Sequence, residues 1–196
     1  MARPSPLRLV RAAAGQLRDA VARRTAPPVV LAVREEGLTR LAPSALADLH
    51  ERVVEAERAR LPGALVVAGD PGGGAAVVAA DGRSSAREVQ VFGVKDPEAA
   101  AAALTRHGFR PESTRVTLRD DAPRPDGEPV AVAHVAAMTP EALRPVVEAL
   151  AGRLVPGGVL IVDARDPATL AVVEAAFRGA DVRYVRRAQL HVVREG

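Results

Sequence analysis

Leu61-Pro-Gly-Ala-Leu-Val-Val-Ala-Gly-Asp-Pro-Gly-Gly-Gly-Ala-Ala-Val-Val78 decides the fold. An unbroken apolar run, Leu65 to Ala68, stops at a glycine cluster, and the chain resumes as a helix-like segment of small residues. A strand without polar alternation is covered on both faces, as in a parallel sheet sandwiched by helices. Gly69, Gly72, Gly73 and Gly74 lack a Cβ, so the backbone there can turn sharply and come close to a ligand, while the next helix offers unpaired N–H groups. The stretch reads as the opening of a nucleotide-type cofactor site. It has no acidic residue at the strand end, Val67-Ala68, to hold a ribose or an amino group.

Working outward, the same alternation repeats. Downstream, the spacing predicts a helix near Ala75 to Ala80, a strand Glu88 to Gly93, a helix Pro97 to His107, strands Arg115 to Leu118 and Val130 to Val135, a helix Pro140 to Leu154 and a strand Val159 to Asp163. A helix from Pro167 to Arg178 is then followed by Val182 to Val185, the basic turn Arg186-Arg187, and Leu190 to Val193, an antiparallel pair closing the sheet edge. Strand–helix alternation demands crossover connections and hence a doubly wound α/β sheet. Upstream, Ser44 is the expected N-cap of a helix from Ala45 to about Arg60. The run Val29 to Val33 is apolar but of undecided type after the break at Pro27-Pro28. Leu7, Val10, Ala14, Leu17 and Val21 recur at helical spacing among Arg8, Arg11, Arg18, Arg23 and Arg24, an amphipathic basic helix for the domain itself or for a second subunit. Residues 1–40 are therefore expected to be a helical extension and connector, and 41–196 the α/β domain.

Composition narrows the function. The chain has 196 residues, enough for one domain, with 27 basic and 24 acidic residues for a net charge of +3. Three Phe, one Tyr and no Trp leave few stacking platforms, and the basic residues are dispersed, so nucleic acid is not the expected partner. Absence of cysteine excludes disulfides, thiolate metal sites and cysteine nucleophiles. No apolar run approaches the roughly 20 residues that span a bilayer. No uninterrupted apolar core of a secretory signal follows the start, and a cytoplasmic location is the expectation. The sequence carries no nucleophile elbow, no phosphate loop and no His-x-x-x-His pair.

A seven-stranded sheet ending in a hairpin resembles the class I S-adenosylmethionine-dependent methyltransferase fold. Leu154-Val-Pro-Gly-Gly-Val-Leu-Ile-Val-Asp163 is similar to the turn and fifth strand of these enzymes, with Asp163 at the carboxyl end where ligands collect. Within that class the chain most resembles the macrocin O-methyltransferase family of antibiotic-sugar methylases, over roughly residues 35 to 196. Pro62 to Gly74 parallels the family's opening motif, and Phe109 to Arg119 and Ala133-His-Val135 run in register with it. The resemblance implies S-adenosylmethionine, a small-molecule acceptor, a homo-oligomer and a divalent metal. Position by position, however, the family's carboxylates are missing. The motif glutamate falls at Val67, and the ribose-binding acid at Phe92-Gly93. The aspartates that end strand four fall at Ala136 and Met138, and the pair after strand five becomes Asp163-Ala164, leaving Asp163 as the remnant. One carboxylate does not make a hard-cation site, so no metal is expected.

The remaining candidates have two readings each. Asp70 either contributes to the cofactor pocket or, the more favoured reading, caps the helix after the glycine turn. Asp120 and Asp121 stand where such enzymes place an acid on the adenine amine, or are a solvated pair opening the loop Ala122 to Gly127. His134 is a candidate general base, although a histidine beside an apolar strand is more often structural. The expected function is a metal-independent O-methyltransferase of a small molecule, with Gly69, Gly72 and Gly73 at the methionine end. The alternative is a non-catalytic relative, a pseudo-methyltransferase kept as an assembly partner.

Overall fold

Seven strands pair into one mixed sheet in the computed structural model, which describes residues 6–196, with 6–13, 15 and 112 described by backbone only. The strands are β1 (Ala64–Ala68), β2 (Val89–Phe92), β3 (Val116–Leu118), β4 (Val130–Val135), β5 (Leu154–Val162), β6 (Val182–Arg186) and β7 (Leu190–Arg194). Their order across the sheet is β3-β2-β1-β4-β5-β7-β6. The first five run parallel, and β7 pairs antiparallel with both β5 and β6. The glycine stretch thus follows the central strand, at the point where the strand order reverses and α/β sheets collect ligands.

Helices cover both faces. These are α1 (Pro6–Thr25), α2 (Pro28–Glu35), α3 (Pro43–Arg58), α4 (Gly74–Gly82), α5 (Pro97–Arg106), α6 (Pro111–Thr114), α7 (Pro140–Ala151) and α8 (Pro167–Ala176). One core packs Val30 of α2, Leu46, Leu49 and Val53 of α3 and Val77 of α4 on Leu65, Val67 and Val91. The other packs Leu143 and Val147 of α7 and Val173 of α8 on Val66, Leu160 and Val162. All five residues of β1 are buried, as the lack of alternation requires.

Three local expectations change. The undecided run Val29 to Val33 is helical: Pro28 occupies the first turn, where its missing N–H does no harm, and Val29, Val30 and Val33 face the core. Ser44 does not cap α3, whose N-cap is Ala42. Pro43 opens that helix, and the Ser44 hydroxyl instead donates to the Asp19 carboxylate, tying α1 to α3. The apolar positions Leu7 and Val10 and the basic Arg8 and Arg11 of α1 lie outside the described side chains. Leu154 to Gly158 is part of β5 rather than a turn before it. The pairing jumps from Val130↔Leu154 to Val132↔Val159, and Gly157, at φ 78°, takes up the extra residues as a bulge.

Entry to β1 is braced by a buried ion pair. Arg87 Nε donates to Glu57 Oε1 at 2.5 Å, with the two side chains only 10% and 5% exposed. The same guanidinium donates to the carbonyls of Leu61 and Gly63, so it joins the end of α3, the turn into β1 and the approach to β2. Burial alone would raise the Glu57 pKa, but hydrogen bonds from Arg87, Ser85 and Ser84 hold it below the ordinary glutamate value. Removing one partner of a buried pair strands the other, so Arg87→Met should lower stability by about 3 kcal/mol, read as a urea midpoint shift at constant m. A depressed folded-state pKa contributes stability above the unfolded value and loses it as pH falls through the folded one. Wild-type stability should therefore fall more steeply than the variant's as pH drops below about 4.5.

Candidate functional site

The carboxyl ends of the parallel strands are laced together through backbone amides. Gly69 N–H donates to Phe92 O at 3.3 Å and Gly93 N–H to Asp121 O at 3.2 Å, joining the ends of β1, β2 and β3. Ala136 N–H donates to Ala68 O at 2.9 Å and Asp163 N–H to Val135 O at 3.3 Å, joining β1, β4 and β5. Gly69 and Gly93 both have positive φ, at 80° and 72°. A Cβ at Gly93 would meet only Gly69 N, at 3.8 Å, so this junction has room above it. Arg119 lies over the Phe92 ring, 5.9 Å from its centroid, on the flank of the same junction.

Much of the room made by the glycine turn is filled by the chain itself. A Cβ at Gly72 would stand 2.1 Å from Leu38 O, and one at Gly74 would stand 2.8 Å from Thr39 Cβ. Gly74 N–H donates to Leu38 O at 3.3 Å, so the segment between α2 and α3 lies directly on the turn. A Cβ at Gly69 would meet Met138 Cε at 2.5 Å, whereas one at Gly73 (φ 78°) would touch only Ala100, at 3.3 Å. The structure buries Asp70, leaving it 5% exposed, and its Oδ2 accepts Ala75 N–H at 2.6 Å in the first turn of α4. Burial pushes this carboxyl above its ordinary value, against the hydrogen bonds from Ala75 and Thr39 that favour the anion.

The other candidates are dispersed. Asp120 is exposed, and Asp121 is half-buried. Its Oδ2 lies 3.5 Å from Arg124 Nη2, and its Oδ1 is buried with no hydrogen-bond partner. Asp163 accepts from Arg165 Nε at 2.7 Å. His134 is fully buried beneath the α3–α4 layer, with Nε2 3.1 Å from Gln189 Oε1. Burial lowers its pKa to about 4, outweighing the Gln189 hydrogen bond, and the nearby His191 lowers it further. His134 is therefore a neutral core imidazole at physiological pH.

No family model and no curated protein matches this sequence. Solved structures do. A SAM-dependent O-methyltransferase from Thermotoga maritima superposes with a TM-score of 0.62 at 13% identity, covering 87% of this chain and 72% of that one. The SAM-bound O-methyltransferase TomG of Streptomyces achromogenes, involved in tomaymycin synthesis, gives 0.56 at 18% identity over 86% and 88% of the two chains. An SAH-bound Podospora anserina methyltransferase gives 0.62 at 12% identity over 100% and 99%. The chain has the Rossmann-like methyltransferase fold.

That fold implies a cofactor and, in the resembled family, a metal. The junction at Gly69 and Gly93 fits an adenosine end, since its backbone is open at Gly93 and the adjoining Asp121, whose carbonyl accepts the Gly93 N–H, has a buried Oδ1 with no hydrogen-bond partner. A methionine end at Gly69 would be crowded by Met138. Ala136, Met138 and Ala164 offer no side-chain oxygen, and the Asp163 carboxylate faces Arg165, so this donor set does not fit a hard divalent cation. Among the described residues no three His, Asp or Glu side chains converge as a metal-binding group.

Sequence reading missed Gln189 as the partner of His134 and Met138 as a lid on Gly69. Neither leaves a local signal, because each contact joins strand ends that only the assembled sheet brings together. Two outcomes test the site's electrostatics. Asp70→Asn should be nearly neutral because it keeps an acceptor and removes a buried charge, whereas Asp70→Ala should cost about 1–2 kcal/mol in denaturant unfolding. By NMR, the His134 imidazole should titrate with a midpoint near 4. Since the unfolded imidazole binds a proton first, this group lowers stability as pH falls from 6.5 to about 4, by about 3 kcal/mol at most.

Proposed function

We propose that the protein binds S-adenosylmethionine across the ends of β1, β2 and β3 and methylates a small molecule without a divalent metal. The observation that carries this reading is the open Gly93–Gly69 junction together with Asp121, whose carbonyl accepts the Gly93 N–H and whose buried Oδ1 has no hydrogen-bond partner, an acceptor for a donor such as the adenine amine. Asp121, with Asp120, is assigned to the adenosine end, and Gly69 and Gly73 to the methionine end. Gly72 and Asp70 shape the turn from behind, one against Leu38 and the other as cap of α4. When bound, the cofactor supplies an electrophilic methyl group. With His134 enclosed, the chain's part is to hold and orient both reactants, which alone removes several kcal/mol of barrier. An acceptor whose hydroxyl ionises unaided, an acidic phenol or enol, suits a site without a placed base. Leu17 and Val21, exposed on α1, are the surface we assign to self-association.

Met138 sets the affinity. Its side chain is flexible enough to swing off Gly69, but the contact must be given up for the methionine end to enter. Calorimetric titration should give micromolar affinity for S-adenosylmethionine and S-adenosylhomocysteine. Met138→Ala should tighten it several-fold, and Asp121→Ala should weaken it about tenfold. Millimolar or absent binding in both the wild type and Met138→Ala would overturn the cofactor assignment and favour the non-catalytic assembly partner. Added Mg²⁺ should leave the melting temperature unchanged; a saturable rise would overturn the metal-free reading.

A further inference from the structure

We propose that the cavity between α3 and the β6–β7 hairpin is a binding site for a small organic carboxylate with an apolar body. It is distinct from the cofactor corner and does not depend on the reading given above. The cavity has a volume of about 380 Å³, within the range of small-ligand sites. It arises because the hairpin carries the sheet past α3, leaving part of the β6–β7 face beside that helix. Val132, Val159 and Val193 on the strands, Ala56 on α3 and Ala59 just after its end form apolar walls. Three guanidinium groups, Arg52, Arg183 and Arg187, line it against one carboxylate, Glu55.

These cations are only partly satisfied. Arg52 pairs through Nη1 with Glu55, and its Nη2 lies 3.6 Å from Glu51 Oε1, an ion-pair distance beyond hydrogen-bond reach; Nε and Nη2 are both buried without a hydrogen-bond acceptor. Glu195 and Glu51, outside the lining, hold Arg183 at 2.9 Å and Arg187 at 2.8 Å. Each guanidinium has five donors, so one carboxylate leaves others free. His191 also lines the cavity. It is 1% exposed, its Nε2 makes no hydrogen bond, and the nearest carboxylate, Asp48, stands at 3.4 Å. Orphaned buried donors are costly, and an acceptor oxygen from a ligand would satisfy them. A monoanion suits this partly compensated charge. A dianion's second charge would meet guanidiniums that already face carboxylates.

The probe is octanoate, titrated into the full chain by two-dimensional amide NMR, with octan-1-ol as a neutral control of the same body. Octanoate should shift Val132, Val159, Val193 and His191 amides saturably and bind about tenfold or more tighter than the alcohol. Arg183 and Arg187 are 63% and 38% exposed in their side chains, so Arg183→Gln/Arg187→Gln should fold normally and bring octanoate down to the alcohol's affinity. Equal binding of acid and alcohol, no saturation, or indifference to the double substitution would overturn the proposal. Tighter binding of phenyl phosphate than of octanoate would overturn the carboxylate assignment.

Discussion

A buried carboxylate at the start of α4 is the constraint on which the carboxyl edge of the sheet depends. Asp70 accepts the Ala75 N–H from inside the protein, where an unpaired charge would be prohibitive. The helix dipole and the Thr39 hydrogen bond offset part of the burial penalty. This contact fixes where α4 begins, and the start of α4 fixes the turn. With Gly73 in the left-handed region, Gly72 and Gly74 are carried against the Leu38 carbonyl and Thr39, at distances no other residue allows. The segment between α2 and α3 is thus part of the turn's structure. Glycines that permit close approach are meeting protein: Gly72 and Gly74 meet Leu38 and Thr39, Gly69 meets Met138, and Gly93 keeps open space beside it.

The same logic explains what stands in place of an acid at Val67. Val91, Val67, His134, Ile161 and His191 form one row across β2, β1, β4, β5 and β7, all beneath the helices of the first core. Val67 has no exposed surface and belongs to an apolar cluster with Val77, Val78 and Val91. A carboxylate there would need a donor that this row does not supply near β1. The row's polar members lie at its other end, where His134 reaches Gln189 and His191 approaches Asp48 of α3. Polarity in this layer therefore serves the join between the parallel sheet and its antiparallel hairpin rather than the ends of β1 and β2.

This division marks what the sequence makes legible. Strand β4 was readable to the residue and β1 to within one, because continuous burial imposes continuous apolarity; β7, buried only over Leu190 to Val192, was readable to within one from its apolar start. Asp70 was readable as a cap because capping is local, set by residues a few positions apart. Ser44 misled for the complementary reason: a serine before a helical pattern is a cap only if its hydroxyl has no better partner, and Asp19 lies far away in sequence. The bulge at Gly157 mimicked a turn, since a glycine pair after proline looks alike in both. Met138 over Gly69 and the Leu38 carbonyl against Gly72 depend on packing between elements, to which neither periodicity nor motif spacing is sensitive.

Parallel strands gather ligands at their carboxyl ends, but the antiparallel hairpin gives this fold a second, differently built recess on the flank of α3. The two use different parts of the shared strands, with Val135 and Ala136 of the β4 end at the first and Ala131 and Val132 at the second. Arginines along β6 have a simpler role available, since charge on an edge strand discourages pairing with another sheet. That role accounts for Arg186, which stands on the edge strand outside the cavity lining. It does not account for Arg52. This residue belongs to α3, its side chain is 13% exposed, and two of its donors are buried without acceptors although Glu51 and Glu55 are at hand. Edge protection places charge where solvent can reach it, and a guanidinium half-enclosed beside a cavity wall answers to something inside the cavity instead.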